Sequence, residues 1–178
     1  MFIMSIENKE SYTGKNKKSY TGLLISSYES NDVNPLLPLL SEEFPDWSID
    51  KIKSYIALVI KNKKDVAGLL VAKNESFYNV GLLIYTIQQI QSKTIKVKNK
   101  KNFENCLVIE NLVASSPILQ KQVFLLMVEE VFKIAKKNSC KLVELPRLDN
   151  AYQLVKDKYK KIIQNVNGFR TFLKISAI

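Results

Sequence analysis

Histidine is absent from the sequence. Its absence excludes Ser-His-Asp and Cys-His catalysis, histidine-based metal sites and the commonest general base near neutral pH. Acid-base chemistry must therefore use Glu, Asp, Tyr, Lys or water. The two cysteines, Cys106 and Cys140, lie far apart without metal-ligand spacing, so we expect two reduced, buried thiols and no metal site.

Long apolar runs are also absent. The N-terminal segment has no run long enough for a signal peptide, and no segment approaches the roughly 18 apolar residues of a membrane span. The hydrophobic content of 46% and the charged content of 25% are those of a soluble globular protein, which we expect to be cytoplasmic. Residues 1–20 are polar, lysine-rich and without period, so we expect a flexible N-terminal extension before a single domain over 21–178.

Arginine is scarce, although the formal net charge is +10, because almost all basic residues are lysines. Arg147 and Arg170 are the only arginines, and arginine is the usual residue for bidentate contacts to bases and phosphates. A bias toward Lys, Asn and Ile explains the charge without a nucleic-acid partner. The lysine-rich stretch 93–101 is typical of a solvated strand edge and loop. A basic RNA- or ribosome-associated module is the weakest functional alternative, and a salt titration would expose it.

The hydrophobic pattern predicts a strand, two helices, three strands, a helix, a strand, a helix and a final hairpin. "YTGLLISSYE" is the first strand, and Asn34 and Pro35 are predicted as N-cap and first residue of the first helix. Ser48 is predicted to cap a second helix whose apolar positions from Ile49 to Ile60 recur with the helical period. "DVAGLLVAK" and "FYNVGLLIYTIQQI" predict an antiparallel hairpin, and "CLVIENLVA" predicts a further strand.

The segment 117–137 is predicted to be one amphipathic helix that packs on a sheet. "CKLVELP" predicts the next strand, "DNAYQLVKDKYKK" the next helix, and Asn167-Gly168 the turn of the last hairpin. We expect the strands at 106–114 and 141–145 to run parallel in a mixed, mainly antiparallel sheet. The apolar stripe of the long helix comprises Val123, Phe124, Met127, Val128, Val131, Phe132 and Ala135.

This order of elements resembles the GNAT superfamily of N-acetyltransferases over about residues 20 to 176. The resemblance rests on "VAGLLVAK" followed by "VGLLIYTI", on "LVIENLVASSP", on "VFKIAKKNSCKLVEL" and on "NAYQLV". It implies an α+β fold, described equally as an α/β three-layer sandwich, with helices on both faces of the sheet. It also implies transfer of an acetyl group from acetyl-CoA to an amine.

In that family the fourth and fifth strands splay apart, and the pantetheine of the cofactor pairs with the backbone of the fourth strand. The pyrophosphate lies at the start of the third helix, where free N–H groups and the helix dipole attract anions. The resemblance assigns the pantetheine to Leu112, Val113 and Ala114. It assigns the pyrophosphate to Gln120, Lys121, Gln122 and Val123.

Glycine is missing from this helix start. Lys121, Val123 and Leu125 stand where the family typically has glycine, so side chains occupy places where backbone approaches phosphate. Losing two charge-assisted N–H bonds, at about 1.5–3 kcal/mol each, would leave a site of about 0.1 mM or weaker. The positive charge of Lys121 and the helix dipole would recover part of the lost affinity for phosphate. Acetyl-CoA binding is therefore one alternative, and a plain structural helix start is the other.

Glu110 is the candidate general base, because burial of a carboxylate within an apolar strand suits it to proton transfer near neutral pH. The alternative is a strand residue that points to solvent. The tyrosine acid of the family would fall on Val155, and Tyr152 and Tyr159 lie one turn to either side. Tyr159 is the candidate acid, with packing as its alternative role. Asn150 either contacts the pantetheine or caps its helix.

Three functional hypotheses follow. The first is an acetyl-CoA-dependent N-acetyltransferase whose partners are an acyl-CoA and an unidentified amine acceptor. The second is a catalytically inactive GNAT-fold module that binds a ligand or a protein, and the third is the RNA-associated module. A homodimer is compatible with the sequence. The first two helices and "FPDW" are expected to form the acceptor side, where Trp47 either lines the cleft or pins the helix junction.

Overall fold

The computed structural model describes residues 22–61, 66–91, 103–146, 158–166 and 170–175. Within them, one seven-stranded sheet has the order β1-β2-β3-β4-β5-β7-β6. β4 and β5 are parallel, and every other neighbouring pair is antiparallel. The predicted mixed sheet and its parallel pair are confirmed. The strands are β1 (Leu24–Ser27), β2 (Ala67–Lys73), β3 (Asn79–Gln91), β4 (Phe103–Ala114), β5 (Leu142–Glu144), β6 (Ile163–Val166) and β7 (Arg170–Lys174).

The described α-helices are α1 (Leu37–Glu43), α2 (Ile49–Lys61) and α3 (Pro117–Lys137). Ser48 caps α2 as predicted, since its Oγ accepts a hydrogen bond from the amide of Lys51 at 3.3 Å. The long helix is confirmed as one element, and all seven residues of its predicted apolar stripe are buried. No helix in the described part of the chain is long and apolar enough to cross a membrane.

The predicted start of the first helix is wrong. A 3₁₀ turn over Asn34–Leu36 precedes α1, and the side chain of Asn34 caps nothing. The backbone amide of Asn34 instead donates to Oδ1 of Asp32 at 3.0 Å. The side chain of Asp32 therefore makes the local hydrogen bond to the backbone that was predicted for the side chain of Asn34.

Helices cover both faces of the sheet. Along β3, Leu82 and Ile84 pack in the core beneath α1 and α2, whereas Leu83 packs beneath α3. This alternation is that of a strand buried on both sides. The buried stripe of α2 begins at Ile52, and Ile49, which we had placed on that face, is 54% exposed. The three-layer architecture predicted from the resemblance is confirmed.

Some predicted features lie outside the described residues. They are the extension over 1–20, the lysine-rich stretch 93–101, Asn150 with the start of its helix, and the Asn167-Gly168 turn. The described end of the last predicted helix consists of helical Lys158 and Tyr159 and a 3₁₀ turn over Lys160–Ile162. β6 and β7 pair antiparallel as the predicted final hairpin requires.

Candidate functional site

A gap opens between the two parallel strands. β4 pairs with β5 only from Cys106 to Val108, which face Leu142 to Glu144. β4 then continues to Ala114, whereas the backbone amide of Leu145, just after β5, donates a hydrogen bond to the carbonyl of Thr171 on β7. Residues 109–114 therefore have β3 as their one paired neighbour among the described strands. An open strand edge presents backbone N–H and C=O groups to a ligand.

Glu110 stands at a β-bulge beside this gap. Ile84 of β3 faces Asn111, and the next residue, Tyr85, faces Ile109, so Glu110 is the extra residue of β4. Bulges of this kind bend a strand and re-aim a side chain, and they occur often next to active sites. Glu110 is exposed, so the expectation that it is buried is wrong. The side chain reaches solvent, and its role as general base stays a prediction.

Neighbouring polar side chains hold the carboxylate of Glu110. The hydroxyl of Thr86 donates to Oε1 at 2.6 Å, and Nε2 of Gln88 lies 3.4 Å from the same oxygen. Gln88 also donates to the hydroxyl oxygen of Thr86 at 3.0 Å. Both contacts end on Oε1, and among the described residues Oε2 accepts no hydrogen bond. The carboxylate is therefore oriented and still accessible to a donor from solvent.

Three aromatic side chains lie on the same face, where α1 meets α2. The rings of Phe44 and Trp47 stack with centroids 4.6 Å apart, and Tyr55 meets both edge-on. Burial raises the pKa of Tyr55, and the negative charge of Glu110 raises it further. Of these three side chains, Tyr55 is the one whose hydroxyl lies within the electrostatic influence of Glu110.

The start of α3 is a complete, capped helix end. A helix normally leaves four amides free, here those of Ser116, Pro117, Ile118 and Leu119. Proline has no N–H, the amide of Ile118 donates to Oγ of Ser116 at 3.3 Å, and that of Leu119 donates to the carbonyl of Ser116 at 3.2 Å. Three of the four positions thus offer nothing to an anion.

The residues assigned to the pyrophosphate lie inside the helix, not in a loop. Gln120, Lys121, Gln122 and Val123 follow the first helical residue, Pro117, so the amides of 121–123 lie within the hydrogen-bonded ladder. Val123 is fully buried and packs on Gly81 of β3, where an added methyl group would lie 2.3 Å from Cγ1 of Val123. A contact between the side chain of Val123 and a cofactor is excluded by this burial.

The remaining assigned residues differ in what they offer. Leu112 is buried beneath α3 and Val113 beneath α1 and α2, so only their backbone can meet a ligand, as the pantetheine assignment requires. Ala114 is partly exposed, and so is Gln120. Lys121 is exposed. A groove of about 590 Å³ runs along α3 and is lined by Ile118, Lys121, Gln122, Leu125, Leu126, Glu129 and Lys158.

The comparisons with known proteins agree with this geometry. No protein-family model and no curated protein matches the sequence. A GNAT family acetyltransferase from Staphylococcus aureus is 15% identical, with 84% of this chain and 97% of that chain covered and a TM-score of 0.59. An aminoglycoside 6'-N-acetyltransferase from Acinetobacter baumannii is also 15% identical, with 79% and 88% covered and a TM-score of 0.58. This chain has the GNAT fold.

The fold is not restricted to proteins described as acetyltransferases. A transcriptional regulator from Bacillus halodurans is 17% identical to this chain, with 82% of this chain and 94% of that chain covered and a TM-score of 0.58. Identities this low establish the architecture and leave chemistry to be argued from the site itself.

Tyr159 lies on the α3 side of the GNAT sheet, opposite the face of Glu110. Its ring meets that of Phe132 edge-on with centroids 5.0 Å apart. Its hydroxyl is buried and has no hydrogen-bond partner among the described residues. Burial, and then the charge of Glu129, raise the pKa of Tyr159 above its ordinary value. These contacts are those of a packing residue, and its role as general acid stays a prediction.

Sequence reasoning missed the residues that support Glu110. Thr86 and Gln88 belong to the strand "FYNVGLLIYTIQQI", whose polar end was treated only as strand. Asn111 donates to Oε1 of Glu43 at 2.6 Å and so joins the bulge to α1.

Glu144 is buried at the last β4–β5 pair. It is the single acidic residue within "CKLVELP", and that was the available signal for it.

Proposed function

We propose that this chain is an N-acyltransferase that takes its acyl group from a thioester held in the gap between β4 and β5. The observation that carries the proposal is the placement of Glu110 on a bulge of β4, where the two strands cease to pair. An oriented, accessible carboxylate at the mouth of such a gap is what proton removal from an incoming amine requires.

The roles of the residues follow from their positions. Acetyl-CoA is the donor that the GNAT fold implies, and it supplies an activated acyl group. The open edge of β4 from Ile109 to Ala114 offers backbone partners to the pantetheine arm. Glu110 accepts a proton from the amine, directly or through a water molecule. Thr86 and Gln88 hold the carboxylate in place while it does so.

The residues present fit the two halves of the donor unequally. The strand edge suits a pantetheine arm, whereas the capped start of α3 does not offer the row of amides that a pyrophosphate needs. Lys121, exposed in the groove beside α3, is the residue that would meet a phosphate there, as a point charge. The nucleotide should therefore contribute little to donor affinity.

Replacement of the base tests the proposal. Glu110→Gln retains an oxygen that can accept from Thr86, so the fold and donor affinity should be unchanged while amine acetylation slows by about 10²–10⁴-fold. The matched control is Glu104→Gln on the same strand, which should leave the rate unchanged. Turnover is measured with acetyl-CoA and acetyl-pantetheine against a panel of primary amines. Equal rates for the two variants would refute the role of Glu110.

A second candidate is a GNAT-fold module that binds a ligand without catalysis. The specific observation in its favour is the helical start of α3, which Ser116 caps and Val123 packs onto the sheet. A transcriptional regulator is among the similar structures, so the fold is compatible with a non-enzymatic role. If neither thioester shifts the melting temperature at millimolar concentration, the transferase proposal fails and this candidate stands.

A further inference from the structure

The junction of α1 and α2 has an electrostatic character opposite to that of the chain. The segment "SEEFPDWSID", residues 41–50, contains four carboxylates and no basic residue, although the whole chain has 27 basic and 17 acidic residues. Such a local inversion attracts positive partners to one place on a molecule that repels them elsewhere. An acidic segment of this kind binds a ligand only where a suitable surface lies beside it.

The aromatic wall supplies that surface. We give this name to Phe44, Trp47 and Tyr55, which contact one another and are each partly exposed. An aromatic face attracts an ammonium group through its quadrupole, and tryptophan does so most strongly. The face of Trp47 already holds one, because Nζ of Lys51 lies 4.0 Å from the ring centroid. The wall is therefore able to bind an alkylammonium group.

The wall leads to the candidate base. Glu43, which precedes Phe44, accepts from Asn111, and Asn111 follows Glu110 on β4. The charge of Glu110 also acts on the hydroxyl of Tyr55. The wall therefore lies on the side of the sheet from which α1 contacts the bulge of β4. A ligand with one amine at Glu110 and a second ammonium at Trp47 would need a flexible chain between them.

From the wall, the Lys51 contact and the local charge, we propose that the acceptor carries a second ammonium group, which displaces Lys51 from Trp47 and positions the reacting amine at Glu110. Polyamines and lysine-rich peptides share this chemistry. The proposal rests on the proposed transferase for its meaning, but binding at the wall needs neither donor nor turnover. Trp47 is the only tryptophan, so its fluorescence reports on the wall alone.

The first experiment titrates the full-length protein with spermidine, with 1,4-diaminobutane and with butylamine, following Trp47 fluorescence and calorimetry at low salt. Spermidine and the diamine should saturate the signal, and butylamine should bind at least several-fold more weakly, because it lacks the second ammonium. A tri-lysine peptide is titrated in the same series. If it binds more tightly than spermidine, the acceptor is a lysine-rich peptide, and if spermidine binds more tightly, the acceptor is a polyamine. Equal affinity for butylamine and spermidine, or no saturable binding, would overturn the proposal.

The second experiment removes the internal ammonium. Lys51→Met should tighten spermidine by about two- to fivefold, the share of an exposed cation–π contact, because the ligand no longer competes with Lys51. Lys53→Met is the matched control on α2, with the same change of charge and no contact to Trp47 among those of the described residues. Equal tightening in both variants would mean that net charge alone is responsible, and the proposal would fail. Saturable binding without acetylation would refute the transferase and leave the wall's ligand class intact.

Discussion

On the face of the sheet that carries α1 and α2, the side chains beside the β4–β5 gap are polar or aromatic, partly exposed and linked by hydrogen bonds. On the face that carries α3, Val123 packs on Gly81 of β3, and the amides of Ile118 and Leu119 at the helix start are already hydrogen-bonded. Under the proposed function, the first face receives the acceptor amine. The second face offers the donor a strand edge and few free amides for its phosphates. The two faces differ because each is built from different elements.

The packing of Val123 on Gly81 offers the largest expected effect. Gly81→Ala places a methyl group 2.3 Å from Cγ1 of Val123 and should destabilise the fold by about 1–3 kcal/mol through overpacking. Urea unfolding measures the loss. Val123→Ala in the same chain should recover part of it, with a coupling of about 1–2 kcal/mol. A fully stable Gly81→Ala protein would show that α3 can move away from the sheet, and the contrast between the two faces would weaken.

The cap of α3 gives a smaller effect. Ser116→Ala removes the oxygen that accepts from the amide of Ile118, so stability should fall by about 1 kcal/mol. Ser115→Ala is the neighbouring control and should change stability by less than about 0.5 kcal/mol. Donor affinity should not decrease in either variant. A marked loss of acetyl-CoA binding in Ser116→Ala alone would place the cofactor's phosphates at this helix start after all.

The smallest effect concerns Tyr159. Tyr159→Phe removes a buried hydroxyl without a partner among the described residues, so stability at neutral pH should be unchanged or rise by about 1 kcal/mol at most. Because the folded protein holds this proton more tightly than the unfolded chain, native stability falls as pH rises above about 10, and the variant should lose less. Tyr78→Phe, at a residue 72% exposed, is the control. Urea unfolding at pH 8 and pH 10.5 measures both variants, and a slower acetylation rate in Tyr159→Phe would support its predicted role as general acid.

Periodicity predicted the elements well because it reports burial directly, as for the stripe from Val123 to Ala135 and the apolar runs of β4 and β5. The helix between β4 and β5 predicted that these strands are parallel, and the three-layer arrangement was predicted from the resemblance. It was harder to predict which of two neighbouring polar side chains would bind a given backbone amide. Asp32 and Asn34 are both good capping residues, and only the chain path shows which oxygen meets which amide.

The site was predicted less well for two physical reasons. A bulge adds one residue without any sequence signal, so strand alternation could not tell that Glu110 would be exposed beside Thr86. Motif position also fixes no side-chain direction. Val123 was assigned both to the apolar stripe and to the pyrophosphate, and the core contact with Gly81 settles its side chain in the first role. Contacts between distant strands, such as that of Asn111 with Glu43, lie beyond a reading of local patterns.

The central claim is that the pantetheine arm of the donor supplies most of its affinity and the nucleotide contributes little. Paired calorimetry with acetyl-CoA and acetyl-pantetheine tests this claim most directly. The two affinities should differ by less than about tenfold, and Lys121→Glu should remove most of that difference and leave acetyl-pantetheine unaffected. A preserved cradle with two charge-assisted amide bonds would instead favour acetyl-CoA by about 10²–10⁴-fold. A ratio in that range would contradict the account, and the lack of binding by either thioester would refute the transferase.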